Sequence, residues 1–412
     1  MEEPTSLGTG KYFNNPVVGA SLLVGVIGLI FLPQSLQVPR VEHIVHSRID
    51  PAAGLPKTTS PTEQQSSQSP STLPPAQPGP EAHLPSASYE IPGQNQTPGA
   101  AFLAIGDWGG WNESVPVSKG QSLVAEGMDK VANELGVSRV FLLGDNFYRL
   151  GVKSNTSKRF NQTFEQVFGT KEHLENLPFH VIAGNHDYFG KVQAQLDYKG
   201  SHRWQFPALF YVVKHSWRRA DGGTATVDII FTDSQMLAPD SKLSPKRFRH
   251  TGIDVEKWAW VEQQMQSSNA DFLIVAGHYP IYASGGEGPV KEMVQKMLPL
   301  LKAHGAHYIS GHDHILGHYE EEGVHMFVTG IGRMCCYPPK YAHLVPKQAV
   351  KFYLVGDKAK GPGVGTRLVS SDIEGGFLAI ELFDEFIRFS FYTETGALLY
   401  QPTAIPKRVQ AH

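Results

Sequence analysis

The feature that most restricts this chain is a series of five short apolar runs, each stopping at a glycine or a glycine step followed by polar residues. They extend from Phe102 to Ile105, Val140 to Leu143, Phe179 to Ala183, Phe272 to Ala276 and Tyr308 to Ser310. Runs of this length, bounded by turn residues, predict buried strands. Between them, Val124, Met128, Val131 and Leu135 fall at helical spacing, as do Val290, Met293, Val294, Met297, Leu298 and Leu301, which makes the methionines core residues. Strands alternating with helices predict an α/β fold of layered β-sheets flanked by helices. Near the end, the stretches from Phe377 to Leu382 and from Ile387 to Tyr392 alternate around Asp384-Glu385, predicting a hairpin. No internal repeat points to a solenoid or propeller.

The polar motifs that follow the five runs are Gly106-Asp107-Trp108-Gly109-Gly110, Gly144-Asp145-Asn146-Phe147-Tyr148, Gly184-Asn185-His186-Asp187, Gly277-His278-Tyr279-Pro280 and Gly311-His312-Asp313-His314. Strand ends place such side chains in the crevice along one edge of an α/β sheet, where ligands bind. One motif alone reads as an ordinary loop residue with local hydrogen bonds. Five in order, offering carboxylates, an amide oxygen, a phenol and imidazoles without a thiolate, predict iron, zinc or manganese rather than calcium or copper(I). Metal-assisted hydrolysis is the economical reading of such a set, since a bound cation acidifies water into a nucleophile. Neither a Ser-His-Asp triad nor a Walker loop is needed.

The motifs in this order resemble the metallophosphoesterase superfamily, and more closely the purple acid phosphatases of the tartrate-resistant type. The stretch from Tyr188 to Tyr198 and Arg203-Trp-Gln-Phe-Pro are also similar to that family. The resemblance implies a ferric site of Asp107, Asp145, Tyr148 and His314 and a divalent site of Asp145, Asn185, His278 and His312, with Asp145 shared. It implies Fe(III) plus divalent iron, zinc or manganese, and a phosphate monoester as substrate. His186, beside Asn185, is expected to contact the phosphate and protonate the leaving alcohol, with Glu287 as the competing acid. Asp187 and Asp313 are expected to orient neighbouring ligands, and Trp108 and Tyr279 to pack around the site.

Three departures stand against the family pattern: Leu237 and Met293 occupy the positions of its disulfide cysteines, Tyr188 replaces a second histidine, and Gly286-Glu287 replaces a Glu-His pair. The remaining histidines, among them His173, His180, His202, His215, His304, His307, His318 and His325, carry no motif and are expected on the surface or as satisfied core residues. The basic cluster Lys246-Arg247-Phe248-Arg249-His250 reads as a solvated run. The alternative function is a catalytically silent membrane-displayed scaffold on the same fold, which would most naturally show lost ligands.

Before the folded body, residues 17–32 read VVGASLLVGVIGLIFL, with Leu36 and Val38 just beyond. This run is slightly short of the ~20 residues that span a bilayer. No small-x-small cleavage site follows it, which favours an uncleaved anchor over a signal peptide. The Pro/Ser/Thr/Gln tract after it cannot bury enough apolar surface to fold. The expected organisation is a short tail (1–16), a transmembrane signal-anchor or signal peptide (17–36), a disordered stalk (37–98), the metallophosphatase domain (99–402) and a C-terminal tail (403–412). Lys11 before the run and Arg40 and Arg48 after it favour a cytosolic body by charge bias. The sequons at Asn95, Asn112, Asn155 and Asn161 outweigh them and predict a lumenal or extracellular one, secreted if the run is cleaved.

A net charge of -3 with mixed signs gives no basic footprint and sets a nucleic-acid partner aside. The two cysteines, Cys335 and Cys336, are neighbours, and neighbouring Cα atoms are held too close for disulfide geometry without strain. They are therefore expected as free thiols or as a link to another chain.

Overall fold

The computed structural model describes residues 96–239, 254–356, 366–370 and 372–409. The expected anchor, nearly all of the stalk, Asn95 and the basic cluster at 246–250 lie outside the described residues. Among the described residues no helix is long and apolar enough to cross a membrane.

Two eight-stranded sheets form the body. In the first, the strands Ala100–Ile105, Arg139–Leu143 and Phe179–Ile182 run parallel side by side. The expected hairpin, Gly376–Leu382 with Phe386–Thr393, adds antiparallel to the free flank of Ala100–Ile105, with Leu103 opposite Ala379. In the second sheet, Thr224–Phe231, Phe272–Ala276 and His307–Ser310 are parallel, followed by Val324–Thr329 and its hairpin partner Leu316–Glu321. Strands covered on both faces need continuous apolar runs. Phe102, Leu103, Ala104 and Ile105 are accordingly all fully buried. Aromatic contacts join the sheets, Phe141 to Phe231 at 5.2 Å and Phe327 to Phe389 at 4.2 Å between ring centres.

The carboxyl ends of the two sets of parallel strands meet. The Gly106 N–H donates to Thr329 O at 2.8 Å, and a Cβ on Gly106 would stand 2.8 Å from the Gly311 Cα. Only glycine permits that approach, which brings the motif after the first run against the motif after the fifth.

The helix Lys119–Leu135 begins where Ser118 Oγ accepts the Gln121 N–H at 3.0 Å, a side-chain N-cap, and it buries Val124, Met128 and Val131. The helical spacing from Val290 to Leu301 is met by one continuous helical run, in which a π-type stretch, Met293–Met297, leads into the α-helix Leu298–His304. Pro299 lacks the N–H that a regular α-helix would direct back to residue 295. Met128, Met293 and Met297 are core residues as expected, and Leu237 and Met293 both lie fully buried in the same apolar cluster.

The cysteine expectation is corrected. Cys335 and Cys336 are bonded to each other, with Cα atoms 3.1 Å apart across a cis peptide, so adjacency does not exclude the pairing.

Candidate metal centre

The five motifs converge on one buried site. The first sheet contributes oxygen donors: Asp107 after Ala100–Ile105, Asp145 and Tyr148 after Arg139–Leu143, and Asn185 after Phe179–Ile182. The second contributes imidazoles, His278 after Phe272–Ala276 and His312 and His314 after His307–Ser310. All seven are buried. Asp107, Asp145 and His312 hold φ of 57°, 53° and 70°, a left-handed backbone that non-glycine residues adopt at a cost of about 1–3 kcal/mol each and that collects at functional sites.

Two poles are visible. At one, Tyr148 Oη donates to Asp107 Oδ1 at 2.7 Å and lies 3.1 Å from His314 Nε2, which is itself 3.3 Å from Asp107 Oδ1. At the other, His278 Nε2 lies 3.1 Å from Asn185 Oδ1, 3.2 Å from His312 Nδ1 and 3.4 Å from Asp145 Oδ1. Asp107, Asp145 and His278 offer ligand atoms that all fall within 4.8 Å of one another, so a metal ion can be held among them.

The chemistry of these atoms fits a cation. His278 Nδ1 lies 2.8 Å from the Leu143 carbonyl and must donate to it, which leaves a lone pair on Nε2 of the neutral ring. On the neutral ring that lone pair faces two oxygen acceptors, and either a proton on Nε2 or a cation between the atoms relieves the repulsion, so the same atoms that hold a proton can hold a metal ion. The outward Nδ1 bond is the support a ligating histidine usually has. His312 Nε2 and His314 Nδ1 are buried without a protein acceptor, so those two rings lack it.

Electrostatics separate the donors further. Burial opposes the charge on Asp145, yet the imidazoles of His278, His186 and His312 pull its pKa well below the ordinary carboxylate range. Burial likewise opposes a charged His278, and Asp145 and Asp107 outweigh it, raising that pKa. Burial and the nearby His278 depress His312 strongly. Burial, then Asp107 and Asp145, push the Tyr148 phenol well above its usual value, so a phenolate here needs a cation as partner.

Around the donors, Asp187 accepts N–H bonds from Gly184, Asn146 and Phe147 at 2.9, 3.0 and 3.2 Å. Asp313 accepts from Gly285 and Gly286, both at 2.9 Å. These carboxylates fix the loop backbone that carries and surrounds the donors. Trp108 packs against Phe147, Phe164 and Phe168, and Tyr279 lies against His278 and His312. Ser234 Oγ receives the N–H groups of His278 and Tyr279 at 3.0 and 2.8 Å.

A profile of the calcineurin-like phosphoesterase family matches residues 100–316. The chain is 32% identical to tartrate-resistant acid phosphatase type 5 of Oryctolagus cuniculus over 325 residues, 77% of this chain and 94% of the relative. The chain belongs to the calcineurin-like phosphoesterase family, in its purple acid phosphatase branch. To purple acid phosphatase 7 of Arabidopsis thaliana this phosphoesterase is 27% identical, over 75% of its own length and 86% of the relative's. Its fold is shared with a solved structure titled GAP50 the anchor in the inner membrane complex of Plasmodium, at a TM-score of 0.60, 23% identity, 75% of this chain and 89% of that one.

His186 and Glu287 stand at the edge of the phosphoesterase site. His186 Nδ1 lies 2.7 Å from the Arg149 carbonyl and its Nε2 4.0 Å from Asp145 Oδ2, with the side chain 30% exposed. Glu287 is half-buried, and burial followed by the Asp313 carboxylate raises its pKa. Two neighbours went unread in the sequence. Tyr337 stacks on His314 with ring centres 4.4 Å apart, and the Arg333 guanidinium lies 3.8 Å from the centre of the Tyr148 ring. The available signal was Thr329-Gly330-Ile331-Gly332-Arg333, a glycine-bearing strand end like the five recognised ones.

Proposed function

We propose that this protein is a dimetal acid phosphatase that hydrolyses phosphate monoesters. The observation that carries the reading is the apposition of His278 Nε2 with Asn185 Oδ1 and Asp145 Oδ1 beside a second pole of Tyr148, Asp107 and His314. In this reading Asp107, Asp145, Tyr148 and His314 hold a ferric ion, and Asp145, Asn185, His278 and His312 hold divalent iron, zinc or manganese. Bound there, the cations supply Lewis-acid activation of the phosphoryl group and of water. His186 has Nδ1 committed to the Arg149 carbonyl, which leaves Nε2 as the atom that meets the phosphate and delivers a proton to the leaving alcohol. No donor position has been replaced by a side chain unable to ligate, so nothing favours the silent-scaffold alternative.

The deciding experiment is metal analysis with a visible spectrum and hydrolysis of an aryl phosphate on the purified full chain. One iron and one divalent ion per chain, a visible band and turnover support the reading. Two metals without turnover on any monoester would return the chain to a scaffold role.

The same proposal places the body outside the cytosol, tethered through residues 17–36 and the stalk, or secreted if that segment is cleaved. Asn112, Asn155 and Asn161 are all exposed and able to receive glycans. A mobility shift of the full chain on endoglycosidase treatment, lost when these three asparagines and Asn95 all become glutamine, supports export; an unglycosylated chain counts against it.

A further inference from the structure

Two buried arginines flank the loop that carries Tyr148, and they differ in one respect. Arg159 is 4% exposed and satisfied by protein: Nη1 donates to Tyr148 O, Nη2 to Gly109 O and Nε to Thr163 Oγ1, at 2.8, 2.7 and 2.8 Å. It holds the loop in place. Arg333 is 7% exposed, and its Nε and Nη1 are buried with no hydrogen-bond partner. Arg203, Arg219 and Arg388 each leave one buried guanidinium nitrogen unpartnered but pair with Glu165, Asp271 and Glu381, and the partly buried Arg139, also with Nε unpartnered, meets His215; Arg333 alone of these leaves two. Arg333 has no such carboxylate among the described residues.

Its position is fixed by aromatic faces and backbone. Cζ lies 3.8 Å from the Tyr148 ring centre and 4.5 Å from that of Trp111, which is 38% exposed. The Arg333 carbonyl accepts from Ser118 Oγ at 2.7 Å, tying the residue to the N-cap of the helix Lys119–Leu135. The Tyr148 oxygen at the end of that ring belongs to the pole with Asp107 and His314. A guanidinium laid against rings keeps its N–H edges in plane, the geometry that matches two oxygens of a phosphate. A buried cation with unpaired donors is costly until an anion reaches it.

We propose that Arg333 is a substrate-binding residue that receives phosphate oxygens at the rim of the metal centre. This rests on the phosphatase reading above and adds a cationic contact to it. The phosphate is either the reacting group itself or a second phosphate of a substrate that carries two. Either source meets the same N–H edge, and the two are separable by ligand.

The test uses the metal-loaded full chain and calorimetric binding of inorganic phosphate and of inorganic pyrophosphate, comparing wild type with Arg333→Met and Arg333→Lys. Metal content and thermal melting are measured on each. Arg333→Met preserves bulk against Tyr148 and Trp111 and removes charge and donors. It is expected to weaken binding roughly 10- to 100-fold while retaining both metals. Arg333→Lys, with charge but no fork, is expected to fall between. Equal losses for the two ligands place Arg333 on the reacting phosphate; a loss confined to pyrophosphate places it on a second phosphate. Unchanged binding of both overturns the proposal, as does weakened binding accompanied in both variants by loss of metal, which would make Arg333 a structural prop. Because binding is read without turnover, a wild-type chain that holds metals and phosphate but hydrolyses nothing would defeat the phosphatase reading and still decide the role of Arg333.

Discussion

Three histidines of this chain face carboxylates, three others face one another, and both trios belong to the same sheet. His278, His312 and His314 follow its strands, with Asp107 and Asp145 opposite. His307, His318 and His325 lie within its strands. In the second trio His318 Nε2 lies 3.0 Å from His325 Nδ1, the His325 N–H donates to His307 Nδ1 at 3.3 Å, and His318 Nδ1 meets the Tyr400 hydroxyl at 3.0 Å. His318 stacks on Phe327, and His307 lies edge-on to Phe389. With burial dominant, the pKa values of His307, His318 and His325 fall to about 3, 2 and 4. Burial by itself makes a histidine a neutral core group. Burial beside carboxylates, with lone pairs turned inward, suits it to hold a cation.

The largest effect expected from disturbing this contrast comes from removing Asp145, the carboxylate that the proposed function shares between both metals. Asp145→Ala should lose both metals and lower aryl phosphate hydrolysis by more than the roughly 10- to 100-fold that loss of an outer-sphere partner costs. Two metals per chain in that variant, with near-normal hydrolysis, would remove Asp145 from the bridge.

A smaller effect separates His186 from both trios, since it lies at the rim and is partly exposed. His186→Ala should lose about 100-fold or more on an alkyl phosphate and much less on a nitrophenyl phosphate, whose leaving group needs no proton. Glu287→Gln should stay near wild type on both. The raised pKa of Glu287 keeps it as the rival acid, and a selective alkyl loss in Glu287→Gln would transfer the role to it. Equal losses on the two esters in His186→Ala would leave His186 only to position phosphate.

Tyr148→Phe sharpens the contrast at the Asp107 pole. The visible band should vanish and the iron become easier to reduce, while the melting temperature stays within a few degrees. An unchanged band would place the chromophore elsewhere.

The smallest effect belongs to the second trio and concerns stability rather than catalysis. Between pH 6.5 and about 4 the unfolded chain protonates histidines that the fold keeps neutral, so these residues make stability fall as pH falls below 6.5, by up to about 1.4 kcal/mol per unit and group. Asp187 and Asp233, each raised to about 6 chiefly by burial, act with the opposite sign, because the folded chain holds their protons longer. The difference between variants isolates the histidines. His325→Gln should reduce their share of the slope by roughly a third in urea unfolding between pH 6.5 and 5, with metal content unchanged. Loss of metal in His325→Gln would erase the distinction between the trios.

The sequence by itself determined the strand ends. Apolar runs such as Phe102 to Ile105 and Phe272 to Ala276 set where strands stop, and a glycine beside each stop sets where a ligand leaves the sheet; both are properties of a few consecutive residues. It also gave notice of the hairpin around Asp384-Glu385, because alternation is local. Tertiary structure alone decided which strand ends would face each other, and with them the wall made by Arg333 and Tyr337. The same holds for how His307, His318 and His325, expected as surface or satisfied core residues, satisfy one another as a linked cluster, and for His180, whose Nε2 is buried without a partner. Strand Tyr211–Arg218 illustrates the limit from the other side: its mixed burial carries little apolar signal, and pairing with Thr224–Phe231 defines it. Hydrogen-bond partners, stacking faces and pKa shifts depend on atoms distant in the chain, and no spacing within a segment encodes which distant segment will arrive.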